Sequence, residues 1–247
     1  MKYYDLSPVD REMRREEIKN QLLKTLSLGQ YNIAIELFGD SDTHTRKVTY
    51  IELGKLYRHQ ADMKDSILKL LTYFKNHQNE KVRQTVVYAA GEIACIDFDI
   101  VEQLIENGLN DGHHSVRNAA TGALKIAANK NPSVLKFCHK YIQSSVPEVR
   151  RLVCHGLELR GRTHPQEIVP ILKLLQYDKS KRVQDMLIHV LGQISYKEGC
   201  FYFVCEEIRT WNNKEIFEKF KKEVIEVHER YSRFSVLTVK EVANYFT

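Results

Sequence analysis

The chain has 247 residues, of which 43% are hydrophobic and 28% charged, with only 11 glycines, 5 prolines and a formal net charge of +5. So few glycines and prolines over this length exclude a turn-rich β architecture and favour helices. The mild basicity permits a nucleic-acid partner without demanding one.

The first segment, "MKYYDLSPVDREMRREEIKNQ", is charged and has no apolar signal core, which predicts a cytoplasmic chain. No apolar run approaches the ~18 residues of a membrane span. Residues 8–38 read as one or two capping helices, within an N-terminal cap over 1–40. A degenerate repeat then starts near Thr45, with Arg46, Thr49, Leu53 and Leu56 in helical register. Four fuller copies follow: "NEKVRQTVVYAAGEIA", "HHSVRNAATGALKIAA", "VPEVRRLVCHGLELRG" and "SKRVQDMLIHVLGQIS". They align on Val82, Val116, Val149 and Val183, spaced 34, 33 and 34 residues apart. Four, seven and eight residues beyond each valine stand apolar or small residues, as in Val86, Ala89 and Ala90 or Leu187, Val190 and Leu191. That stripe is one buried helix face, and its small members admit a close neighbour.

Between the copies run second helices: "MKDSILKLLTYF", "FDIVEQLIENGL", "NPSVLKFCHKYI", "PQEIVPILKLLQY" and "GCFYFVCEEIRTW". Two helices per ~34 residues predict an all-α, HEAT-like α-solenoid, a curved superhelix of antiparallel helix pairs. The expected organisation is one repeat domain over 1–247, with repeats across 41–211 and C-terminal capping helices over 212–247. In that cap Ile216, Phe220, Val224 and Val227 face inward, and Thr238 caps a last short helix. Cys95, Cys138, Cys154, Cys200 and Cys205 form no CxxC pair and read as buried reduced thiols.

The recurring basic residue allows two readings. Arg83, Arg117 and Arg150 follow the aligned valines, Arg46 extends the series, and Gln184 takes the last place. Each arginine either pairs with an aspartate in the preceding turn, with Asp42, Asp111 and Asp178 on offer, or joins a phosphate-binding row. In the second reading Arg46, Lys47, Arg83, Arg117, Arg150, Arg151, Lys179, Lys181 and Arg182 are the nucleic-acid-binding candidates, and the DNA backbone is the partner. No Gly-rich phosphate loop, nucleophile elbow or zinc spacing is present. His113, His114, His139, His155 and His189 lack a metal-ligand spacing, and His155 and His189 share one repeat position. Neither a metal nor a small-molecule cofactor is expected, and no membrane; a protein partner stays open.

The segments "LFGDSDTHTRK", "NKNPSVLKF", "SSVPEVRRLVCHGLELRG" and "DKSKRVQDMLIHVLGQISYKEG" make the chain, over about residues 35–210, resemble the AlkC/AlkD-like family of HEAT-like DNA alkylation repair proteins. The resemblance implies a concave DNA-binding solenoid that removes N3- or N7-alkylated purines without flipping the base, using an Asp beside tryptophans. It also implies a phosphate contact at Arg151. The family's Asp falls on Arg117, and its two Trp positions fall on His113 and His189; the chain's one tryptophan, Trp211, lies elsewhere. A guanidinium repels an oxocarbenium ion and cannot act as a base. Loss of the aromatic walls removes the surface for a cationic base. The expectation is therefore a DNA-binding protein that reads backbone shape in damaged, bent or branched DNA without base excision. The alternatives are an active glycosylase with Asp111 or Glu92 as the acid, and a protein-binding scaffold.

Overall fold

A computed structural model of the chain describes residues 3–247. Among these, fifteen α-helices and no strand are found: α1 (Pro8–Leu28), α2 (Ile35–Gly39), α3 (Thr43–His59), α4 (Lys64–Phe74), α5 (Glu80–Ala94), α6 (Glu102–Leu109), α7 (His114–Lys130), α8 (Val134–Tyr141), α9 (Pro147–Gly156), α10 (Glu158–Gly161), α11 (Pro165–Leu172), α12 (Lys181–Ser195), α13 (Phe201–Arg209), α14 (Lys214–Arg230) and α15 (Val239–Asn244). The HEAT-like helical repeat expected from the sequence is the fold of this chain. The four aligned valines are buried, each at 2% exposure or less. No helix is long and apolar enough to cross a membrane among the described residues.

The chain divides into two compact units, residues 1–127 and 128–247, with the division falling inside α7. In the first unit α5 is the hub, packing on α2, α3, α4 and α6. Its Gly91 is required by a close approach: a Cβ there would come within 2.6 Å of Ala123 Cβ and 2.7 Å of Ala123 Cα on α7. Ile67, Leu70, Leu71 and Phe74, one apolar face of α4, are fully buried, with Phe38 of α2 tilted against Phe74 at 4.9 Å. In the second unit α12 is the hub, packing on α9, α10, α13 and α14. The inward face read for α14 is correct, since Ile216, Phe220, Val224 and Val227 are all buried.

The helices start where the sequence supplies caps. Asp42, Asn79 and Asn213 accept the backbone N–H two residues on, from His44, Lys81 and Glu215. Thr238 forms a full capping box with Glu241. One expected helix is broken: the copy over 146–161 stops at Gly156, turns at Leu157 and restarts as α10. The Leu157 N–H there is shared between the carbonyls of Val153 and Cys154, at 3.2 and 3.3 Å. All five cysteines are free, and all but the half-buried Cys95 are buried. Burial pushes the Cys138 and Cys205 thiols up to about 12, so they are not nucleophiles at neutral pH.

Candidate nucleic-acid interface

The recurring arginine does one thing in every repeat. Its guanidinium reaches back to the carbonyl six residues earlier: Arg46 to Asp40, Arg83 to His77, Arg117 to Asp111 and Arg150 to Ser144, the last three each at 2.7 Å. Gln184 copies the bond with its amide, to Asp178 O at 2.7 Å. A carbonyl in a link has no helical partner, and a charged donor is the strongest side-chain answer to that need. The basic position is therefore conserved within the chain by the geometry of the link.

The other edge of the guanidinium faces forward along the chain. Arg83 Nε and Nη2 donate to both oxygens of Asp111, at 2.7 and 3.0 Å. Arg150 does the same to Asp178, at 2.5 and 2.9 Å. Each aspartate also accepts a backbone N–H two residues on, from His113 at 2.8 Å and Ser180 at 2.9 Å. The ladder expected from the sequence thus runs in the opposite sense. The paired acid belongs to the following link, because the preceding link is already engaged through its carbonyl. Arg46 departs from this plan and donates to Gln84 Oε1, inside α5, at 3.1 Å. Arg151 grips Glu148, one helical turn back, by two bonds of 2.9 Å.

Burial pulls the Asp111 carboxyl upward, but its bonds to Arg83 and to the His113 N–H outweigh that and hold it below the usual carboxylate range. Asp178 is treated the same way: burial raises it, while Arg150 and the Ser180 N–H outweigh that and hold it below the usual range. Both groups therefore contribute stability that is complete above the ordinary Asp value of about 4 and is lost as pH falls through the depressed values. Melting temperature measured over a pH series is expected to drop below about pH 4. Asp178→Asn should lie lower at neutral pH and show a shallower acid limb.

The candidate row differs in exposure. Arg46 is only 7% exposed, its guanidinium turned to Asp40 O and Gln84. Arg83, Arg117, Arg150 and Arg151 are half-buried. Asp111, weighed from the sequence as a spare acid, is instead committed to Arg83. Glu92 packs against the α3 backbone, where a Cβ on Gly54 would come 2.5 Å from its own Cβ. Of the three positions where the resemblance implies catalytic residues, His113 bonds Ser115 Oγ through Nδ1 at 2.7 Å. Arg117 binds the carbonyls of Asp111 and Gly112. His189 lies beside His155, ring centroids 5.9 Å apart, with its Nδ1 3.8 Å from Glu223 Oε1.

The remaining candidates, Lys47, Lys179, Lys181 and Arg182, are exposed. Three of them crowd the start of α12. Lys179 and Lys181 flank Ser180, the N-cap residue, and Arg182 follows with its side chain 76% exposed, touching Glu148 only at 3.7 Å. A helix N-terminus carries partial positive charge and prefers acidic neighbours. The first turns of α5, α9 and α14 supply one, Glu80, Glu148 and Glu215, whereas those of α3, α7 and α12 have none. At α12 Asp178 supplies one anionic partner, through the Ser180 N–H, and a further approaching anion would be favoured.

Sequence spacing did not show that His155, Glu158 and His189 come together. Their ligand atoms lie within 4.8 Å of one another. The one available signal was the shared repeat position of the two histidines.

Neither a protein-family model nor a curated protein matches the sequence. Solved structures do resemble it in fold. AlkD2 from Streptococcus mutans is 19% identical, with 85% of this chain and 99% of that one covered at a TM-score of 0.56. The protein smu.31 from Streptococcus mutans UA159 is 18% identical, with 85% and 98% covered at 0.52. A chain of the Pds5–Scc1 complex is 17% identical, with 92% of this chain but 37% of that one covered at 0.50.

Proposed function

We propose that this chain binds DNA through the phosphate backbone and reads its shape without excising bases. The observation that carries the reading is the exposed cation cluster Lys179, Lys181 and Arg182 at the start of α12, in which Arg182 reaches Glu148 only at 3.7 Å. Backbone N–H groups and flexible cations at a helix start suit a phosphate, and they carry no base-edge code. The AlkD2-like fold supports the same class of partner. Against excision stands the chemistry at Arg117: its guanidinium occupies the position where the resemblance implies a carboxylate, and it is permanently charged. No aromatic wall stands at His113 or His189 to hold a cationic base.

Fluorescence anisotropy with a four-way junction, a linear duplex and a single strand of matched length tests the reading. Binding of duplex and junction with little sequence preference, tighter for the junction, is the expected result. Equal failure to bind all three at low salt would remove DNA as the partner and leave the protein-scaffold alternative.

A further inference from the structure

We infer that His155, Glu158 and His189 form a binding site for a divalent transition-metal ion of the zinc class, with a coordination position left open. Two imidazoles and one carboxylate are the donor set of open zinc sites, and imidazole suits zinc, copper and nickel over magnesium or calcium. His155 and Glu158 are three residues apart across the α9–α10 junction, and His189 comes from α12, which packs on both helices. Three residues apart on a helical path, the two side chains share one face: His155 Nε2 and Glu158 Oε2 are 3.2 Å apart. Bonds of 2.0–2.1 Å in a tetrahedral site place ligand atoms about 3.3 Å from each other. That pair already meets the requirement, and the widest gap in the trio, at most 4.8 Å, closes with small side-chain rotations.

The surroundings fit the assignment. Arg162 holds Glu158 Oε1 and is itself bonded to Gln193 Oε1 at 2.7 Å, so Oε2 is the oxygen turned to the histidines. Glu223 Oε1 lies 3.8 Å from His189 Nδ1, and drawn into hydrogen-bond range it would back the ring and leave Nε2 for the ion. A carboxylate behind a ligating imidazole fixes its orientation and raises its basicity. Glu158 is buried while both histidines are half-exposed, so an ion enters from the solvent side and its open position faces outward, toward water or an anionic oxygen. The positive charge of Arg162 opposes the ion, and binding should be weaker than at a closed structural site. This inference does not rest on the DNA reading.

The test is titration of the tag-free, reduced chain with Zn²⁺ by calorimetry and with Co²⁺ by visible absorption. One equivalent is expected, with tetrahedral Co²⁺ bands and no thiolate charge-transfer band. Either H155A or H189A should weaken binding at least about tenfold, and E223Q by about tenfold, each with an unchanged helical circular-dichroism spectrum. His189 is half-exposed, so H189A decides the matter if H155A fails to fold. Absence of binding, binding unaltered in H189A, or a thiolate band that places the ion on cysteine would overturn the assignment.

Discussion

Arg150→Ala should unfold at a markedly lower temperature than the native chain, by about 3 kcal/mol of stability, because it strands Asp178. The Asp178 side chain is only 4% exposed and receives two charge-assisted bonds from Arg150, while the same guanidinium satisfies the carbonyls of Ser144 and Ser145. Removing one member of a buried pair leaves the other charge desolvated and unmatched, which costs far more than losing an exposed pair. For a chain of this length each kcal/mol moves the midpoint by roughly 2–4 °C, so a fall near 10 °C is expected in a thermal circular-dichroism scan. Arg182→Ala is the contrasting case. Its pair with Glu148 is long and exposed, and the change should stay within about 0.5 kcal/mol.

The second large effect is on salt dependence of DNA binding. Each neutralised phosphate contributes about −0.9 to the slope of log K against log salt on duplex DNA. Three contacts from Lys179, Lys181 and Arg182 then contribute about −2.7, which weakens binding roughly 40-fold for a fourfold rise in salt. The triple alanine variant should lose that part of the slope while keeping its melting temperature, since none of the three is buried. Arg150→Ala should do the reverse, lowering the midpoint with the slope kept. An unaltered slope in the triple variant would place the contacts elsewhere on the surface.

The stack of helices was legible because the information is local. An i, i+4, i+7, i+8 stripe, a small residue at the tight crossing and a cap residue in each link are all within one segment. Val82, Val116, Val149 and Val183, the inward face of α14 and the Thr238 cap followed from that alone. The break at Leu157 was not legible, since a glycine such as Gly156 is tolerated inside many helices. The role of the recurring arginine was half legible. Its repetition marked it, but which neighbour it pairs with depends on the offset between successive helices, and that offset places Asp111 and Asp178 in the following link. Periodicity likewise could not distinguish Arg46, buried against Gln84, from the exposed Lys47 beside it. The spacing of His155 and Glu158 is that of helix neighbours, but their convergence with His189 depends on the packing of α9 and α10 on α12, which no spacing rule in the sequence announces.

The central claim, DNA binding without excision, meets its most direct test in one reaction. Excess protein is incubated with a duplex carrying N3-methyladenine or N7-methylguanine, and bound DNA and free base are measured on the same samples under single-turnover conditions. The account predicts a fully retarded duplex and no base released beyond spontaneous loss. Release of alkylated base above that background, or a duplex that is never retarded, would contradict it.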